Sequence, residues 1–136
     1  METHPPALDG LAVCAVGCDL LRIARVAAVY ERLGDRFVQR ILTPAEQQLW
    51  LERGATSNFL AKQFAAKEAL AKALGTGIAK GIGFQQLQIL RDEQGAPSVT
   101  LLGVAAQRLQ QLGASRALLS LSDDDGLVQA FVVLAA

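Results

Sequence analysis

The stretch FAAKEALAKALGTGI (64–78) is mostly alanine and leucine, yet it carries Lys67, Glu68 and Lys72 within six positions. Residues three and four apart share a helix face. Leu60, Phe64 and Glu68 therefore align, which sets Glu68 at the edge of an apolar face. Lys72 lies one turn further on. Lys67 aligns with Leu60, Ala71 and Leu74, so it too borders buried surface. A carboxylate so placed can hold Mg²⁺, an ion bound through one or two carboxylates plus substrate phosphates. Lysines a turn away supply point charges for phosphate oxygens. Gly75, Thr76 and Gly77 close the stretch, and glycines let a backbone come close to a phosphorylated ligand. This is not a P-loop, because no Gly-Lys-Ser/Thr follows a helix-opening glycine loop. A plainer reading also stands. Glu68 and Lys72 can form an i,i+4 surface pair worth roughly a few tenths of a kcal/mol, with the glycines a helix stop. A second carboxylate, Asp19, follows Gly17 at the end of an apolar run. An unpaired charge there is costly, which favours a ligand role; a helix cap is the alternative.

The elements that must position these groups belong to a chain of 136 residues, the length of one domain. It is 51% hydrophobic and 19% charged, which suits a globular, soluble protein. Zero net charge argues against a general nucleic-acid binder. No apolar run reaches the roughly 18 residues of a membrane span. Residues 1–10 have neither a basic start nor an apolar core, so they read as a loose tail and not a signal peptide. The only histidine, His4, lies in that tail, which leaves residues 11–136 as the single domain. Cys14 and Cys18 fall about 13 Å apart on one predicted strand, beyond disulfide reach. Two reduced cysteines suit the cytoplasm.

LAVCAVGCDLL (11–21) is predicted to be a buried strand, and ARVAAVYERLG (24–34) a helix stopped by Gly34. DRFVQRIL (35–42) follows as a short helix that Asp35 can cap. Thr43, Pro44 and Glu46 form a capping-box start for a helix to about Arg53. Ser57 or Asn58 can cap the long helix that ends at Gly75. The second half changes character. FQQLQIL (84–90) and PSVTLL (97–102) read as one hairpin, and RALLSLS (116–122) and LVQAFVVL (127–134) as another. VAAQRLQQLG (104–113) is a helix between them. The class is α+β, with helices packed on a small, largely antiparallel sheet. The three adjacent acids at 123–125 read as a solvated hairpin turn, since three neighbouring carboxylates cannot all face one ion.

Three segments, AVGCDLLRIARV (15–26), FLAKQFAAKEALAKALGTGI (59–78) and LSLSDDDGLVQAFVVL (119–134), in this order and with these gaps, resemble the holo-acyl-carrier-protein synthases. These are small 4′-phosphopantetheinyl transferases of bacterial fatty-acid synthesis. RFVQRILTPAE (36–46) and DEQGAPSVTLLG (92–103) fit between them, so the likeness covers nearly everything after residue 11. The F-x-x-K-E-A-x-x-K core, with G-x-D upstream, is its most specific part. The resemblance implies the family fold and a Mg²⁺-dependent enzyme. It would move the phosphopantetheine arm of coenzyme A onto a serine of apo-acyl carrier protein and release adenosine 3′,5′-bisphosphate. By matching position, Asp19 and Glu68 would be metal ligands, with Glu68 and Lys72 the catalytic pair. Lys67, Lys72, Gly75, Thr76 and Gly77 would meet coenzyme A. Such displacement needs positioning and neutralised oxygens rather than a covalent nucleophile. The family also implies a homotrimer with sites between neighbouring subunits.

Arg22, Arg25, Arg32, Arg36 and Arg40 recur across the first two helices. Acyl carrier proteins are acidic, and an arginine stripe would steer them. Arg25 matches an arginine the family uses for its carrier, and Arg32 is assigned the same role. Taken singly, each arginine also fits a solvated face balanced by Glu31 and Asp35. Some positions depart from the family pattern. Gln63 stands where many relatives have arginine, Asp123 where many have histidine, Arg22 where an acid is frequent and Leu127 where an aromatic is usual. Those departures motivate an alternative, a catalytically weak module that keeps the fold and binds the carrier. A different Mg²⁺-dependent nucleotide enzyme is a third reading, and the motif order disfavours it.

Overall fold

The computed structural model describes residues 12–136. The tail reading for residues 1–10, His4 included, lies outside them. The chain runs β1 (Val13–Arg22), α1 (Ile23–Leu33), α2 (Asp35–Ile41), α3 (Pro44–Glu52) and α4 (Ser57–Ala73). A 3₁₀ turn (Phe84–Gln86) leads to β2 (Leu87–Arg91), β3 (Pro97–Leu101), α5 (Gly103–Gln111), β4 (Arg116–Asp124) and β5 (Leu127–Ala135). β1, β5 and β4 form one antiparallel sheet with β5 central, and β2 and β3 form a separate hairpin.

β5 alternates as a half-buried strand should. Val128, Ala130, Val132 and Leu134 point inward and are buried, and Gln129 and Phe131 point outward. Helix α4 lies across that inner face against β1 and β5. Its Leu60 and Leu70, and Leu74 at its C-cap, join them in one core. Asp125 and Gly126 both take left-handed backbone (φ 51° and 77°), the geometry of a two-residue hairpin turn whose twist matches its strands. Of the acidic run only Asp125 lies in the turn; Asp123 and Asp124 end β4, paired with Val128 and Leu127, and Asp123 meets Lys62 at 3.1 Å.

Four local expectations need correcting. The strand predicted as buried, β1, is buried only at Gly17 and Leu21 and exposes Val13, Val16 and Leu20. Thr56, not Ser57 or Asn58, caps α4, its hydroxyl accepting from the Phe59 N–H at 3.1 Å. Asp35 sits inside the first turn of α2, whose cap position is Gly34 with no side-chain bond. Residues 84–86 form a 3₁₀ turn and not strand. There Gln85 Nε2 donates to the Leu42 carbonyl and Gln86 Nε2 to the Gly81 carbonyl, which folds the glutamines back onto neighbouring loops.

The Thr43–Glu46 capping box forms as expected, and it does more than start α3. Glu46 Oε1 accepts from the Thr43 N–H at 2.8 Å and from Lys67 Nζ at 2.6 Å. Its Oε2 accepts from Gln63 Nε2 at 2.7 Å and from the Ile89 N–H at 3.0 Å. Lys67 Nζ also donates to the Phe84 carbonyl at 2.9 Å. Glu46, Gln63 and Lys67 have no solvent exposure. One carboxylate thus ties α3, α4, β2 and, through Lys67, the 3₁₀ turn. Burial pulls the Lys67 pKa down, and the Glu46 charge opposes that. Removing one partner of such a pair strands the other. Lys67→Met should therefore destabilise the fold by about 3–5 kcal/mol. Adding Glu46→Gln, which removes the stranded charge, should recover part of the loss in chemical denaturation. Simply additive losses would show that the two side chains do not act as a pair.

Candidate active site

The site begins with a glycine. A Cβ at Gly17 would lie 2.1 Å from the Ala69 carbonyl oxygen and 2.7 Å from the Ala73 nitrogen. Only glycine lets α4 lie so close to β1. Strand periodicity then puts Asp19, two residues on, on the same inward face. The motif G-x-D thus has a local logic: the glycine permits the approach and the aspartate supplies the charge.

Lys72 Nζ donates to Asp19 Oδ1 and to the Cys18 carbonyl, both at 3.0 Å. The salt bridge runs from α4 to β1, not along α4 to Glu68. Asp19 is 16% exposed at its side chain and Lys72 54%. The cap reading of Asp19 fails, because Arg22 holds the cap position of α1 and makes no side-chain cap bond. Glu68, half-buried beside this bridge, makes no hydrogen bond or ion pair among the described residues. Its pKa is raised, first by burial and then by the Asp19 charge, with Lys72 and Arg25 pulling it back. Asp19 and Glu68 are the two carboxylates at this partly dry surface that could supply oxygen ligands to a hard cation such as Mg²⁺. Arg25, exposed on α1, joins them electrostatically.

Other predicted residues lie on either side. Gly75 (φ 79°) and Gly77 (φ 63°) turn the chain out of α4. Nothing lies within 4 Å of a Cβ built at Gly77, so its requirement is conformational rather than steric. Gly75 and Thr76 line a cavity of about 290 Å³ with Lys80, Ile82, Val104 and Arg108. On the other side, Arg32, Arg36, Arg40, Phe37, Phe64 and Phe84 line a groove of about 380 Å³. Phe64 stacks on Phe84 with ring centroids 5.8 Å apart. Helix α4 thus presents Phe64, Glu68 and Lys72 in sequence, with Gly75 just past its end, from arginine groove to carboxylates to second cavity.

Lys67 requires a correction. Its ammonium is sealed in the core against Glu46 and Phe84, away from this surface. Gln63 is sealed beside it, donating to Glu46 and to the Ile89 carbonyl. Helix spacing put Lys67 at a border because it ignores what packs outside the helix; here α3 and β2 cover it and Gln63. Spacing also gives no sign of Arg108 or Phe84, which arrive from distant segments. Only Lys80, a cation in a glycine-rich loop, carried a local hint.

The pattern of the 4′-phosphopantetheinyl transferase superfamily matches residues 15–131, and the chain belongs to that family. It is 46% identical over 122 residues to the holo-[acyl-carrier-protein] synthase of Halorhodospira halophila, covering 90% of this chain and 97% of that one. The crystal structure of holo-[acyl-carrier-protein] synthase from Neisseria meningitidis superposes with a TM-score of 0.84 at 38% identity, over 90% of this chain and 98% of that one. The Helicobacter pylori holo-[acyl-carrier-protein] synthase in complex with coenzyme A does so at 0.77 and 32%, over 88% and 98%. The chain is accordingly a phosphopantetheinyl transferase by family, with that family's α+β fold.

The raised Glu68 pKa, set first by burial and then by the Asp19 charge, has a measurable consequence. A carboxyl whose pKa is raised by folding adds no penalty below the ordinary glutamate range. The penalty grows as pH rises through that range toward the folded value, then stays constant. Glu68→Gln should therefore melt higher than the native chain at pH 7 in chelator, and the advantage should vanish in acid. A lower melting temperature for the variant at pH 7 would contradict a penalty on the Glu68 charge.

Proposed function

We propose that this chain transfers the 4′-phosphopantetheine group of coenzyme A to a serine of apo-acyl carrier protein. The reaction uses Mg²⁺, releases adenosine 3′,5′-bisphosphate and serves fatty-acid synthesis. The observation that carries this reading is the unpaired Glu68 carboxylate facing Asp19 beside Lys72. The relatives' names and the coenzyme A complex of one of them support it.

In this reading Asp19 and Glu68 hold Mg²⁺, which when bound neutralises diphosphate oxygens. Lys72 exchanges its Asp19 contact for a phosphate oxygen, a small movement for an exposed, flexible stem. Gly75, Thr76 and Gly77 let the nucleotide lie against the end of α4. Arg25 and Arg32 orient the acidic carrier, and the phenylalanine-floored groove next to Arg32 takes its apolar contacts. The geometry can thus bring the carrier serine from one side of Glu68 and the diphosphate from the other. Positioning and charge neutralisation are what this displacement chiefly needs. The departures at Gln63 and Asp123 lie in the core and in a hairpin arm, away from the carboxylate pair. That weakens the case for a non-catalytic module.

The outer face of the main sheet exposes Val16, Leu20, Leu118 and Phe131. Val16 and Leu118 both register with Val133 and lie to either side of it, and Phe131 follows two residues before on the same face of β5. A continuous apolar face of this kind calls for cover. Copies of the same chain provide it in the homotrimer of this reading. Cys14 and Cys18, both free thiols, fit a cytoplasmic setting.

Incubation with coenzyme A, Mg²⁺ and apo-acyl carrier protein should add one phosphopantetheine to the carrier by mass spectrometry. Glu68→Gln should lower that rate by about 100-fold or more, and the native enzyme should sediment as a trimer. An unmodified carrier would overturn the assignment, and a monomer at micromolar concentration would overturn the assembly. Arg25→Glu should raise KM for the carrier far more than KM for coenzyme A. The carrier KM of the native enzyme should also rise with salt, since exposed charges are screened over about 8–10 Å at ordinary ionic strength. Equal effects on both substrates would remove Arg25 from the carrier surface.

A further inference from the structure

The 3₁₀ turn before β2 makes contacts that neither the carboxylates nor the core ion pair require. Gln85, its middle residue, sends its amide to the end of α2. Gln85 Nε2 donates to the Gln39 carbonyl at 2.8 Å and to the Leu42 carbonyl at 2.7 Å, with the Arg40 carbonyl further off at 3.4 Å. All three partners are acceptors, so the amide nitrogen must face them, and its two protons suit the two short contacts. Gln47 Nε2 shares the Leu42 carbonyl at 3.0 Å.

These carbonyls need donors from outside their helix. The last carbonyls of any helix have no partner within it. Helix α2 has only seven residues, and its N-terminal cap position, Gly34, makes no side-chain bond. A helix so short does not sustain itself in water, so its placement depends on what holds it. Phe37, Val38 and Ile41 bury one face, and Gln85 holds the C-terminal end.

Residue 84 reaches the other way. The Phe84 ring stacks on Phe64 of α4, and its carbonyl accepts from Lys67 of the same helix. Phe64 in turn lies 6.2 Å from Phe37 of α2, centroid to centroid. Two adjacent residues of one turn therefore tie α2 to α4. Those helices are walls of the arginine groove, with Arg36 and Arg40 on one and Phe64 on the other. Gln85 is not among the described residues that line the groove. Its influence there runs through α2.

We propose that Gln85 is a positioning residue for the acyl carrier protein: its amide fixes α2 against α4 and so sets Arg36 and Arg40 over the phenylalanine floor. The inference rests on the reading of that groove as the carrier surface. Gln85→Met tests it, because it keeps the length and neutrality of the side chain and removes the donor. Gln85→Asn, one methylene shorter, is the second variant. The bonds lost lie at or near the surface, so both variants should fold, which far-UV circular dichroism checks. KM for the carrier should rise about tenfold, the scale of one or two lost hydrogen bonds, while kcat and KM for coenzyme A stay near native. Amide hydrogen exchange should quicken in α2 and not in α4. An unchanged carrier KM in both variants, with Arg32→Glu raising it, would overturn this proposal and leave the carrier reading standing. An unchanged carrier KM in Arg32→Glu as well would remove the groove from carrier binding and overturn both. Equal rises in the two KM values would show that Gln85 serves the fold alone. A raised carrier KM with unaltered exchange in α2 would mean that Gln85 touches the carrier itself, and would end the positioning role.

Discussion

The close approach of α4 to β1 at Gly17 is the constraint on which the site depends. Any side chain there would strike the Ala69 carbonyl, so the helix would have to lift from the strand. Asp19 and Glu68 would then part, because they sit on the two elements that the contact brings together. A charged pair built this way costs stability. Burial and like charge both raise the Glu68 pKa, and the fold bears that cost through the packing of α4 against the sheet. Local penalties of this kind are expected where a site is shaped for a ligand rather than for its own stability.

Two adjacent residues of α4 show how one helix serves both ends. Lys67 and Glu68 are neighbours in sequence, yet they project about 100° apart around the helix. Lys67 turns into the core and is satisfied by Glu46 and the Phe84 carbonyl. Glu68 turns outward to the seam with β1 and makes no hydrogen bond or ion pair among the described residues. The buried pair anchors the loop segment that carries Phe84, and Phe84 in turn floors the arginine groove. The core ion pair and the surface carboxylates are therefore parts of one arrangement, with α4 as its axis.

Much of this was legible in the sequence. The capping box, the glycine stops at 34, 75 and 113 and the alternation of β5 each rest on local chemistry, and each appears at its expected place. The G-x-D and K-E-A-x-x-K spacings gave Asp19, Glu68 and Lys72, which the structure brings together. What was not legible depended on distant partners. Lys67 looks like a border residue until α3 and β2 cover it. Lys72 looks like a partner for Glu68 until the strand presents Asp19 instead. Arg108 enters the second cavity from a helix that no spacing rule connects to Gly75. The residues 84–86 read as strand from their pattern, and side-chain bonds to loop carbonyls turned them into a 3₁₀ turn.

The central claim is that Asp19 and Glu68 form a cation site whose charge Lys72 shares until substrate arrives. Crystals grown with Mn²⁺, a hard cation standing in for Mg²⁺, and coenzyme A would test it by anomalous diffraction. An anomalous peak should lie between the two carboxylates, with Lys72 Nζ moved from Asp19 to a phosphate oxygen. A peak elsewhere, or none, with coenzyme A bound and the Lys72–Asp19 bridge intact, would contradict it.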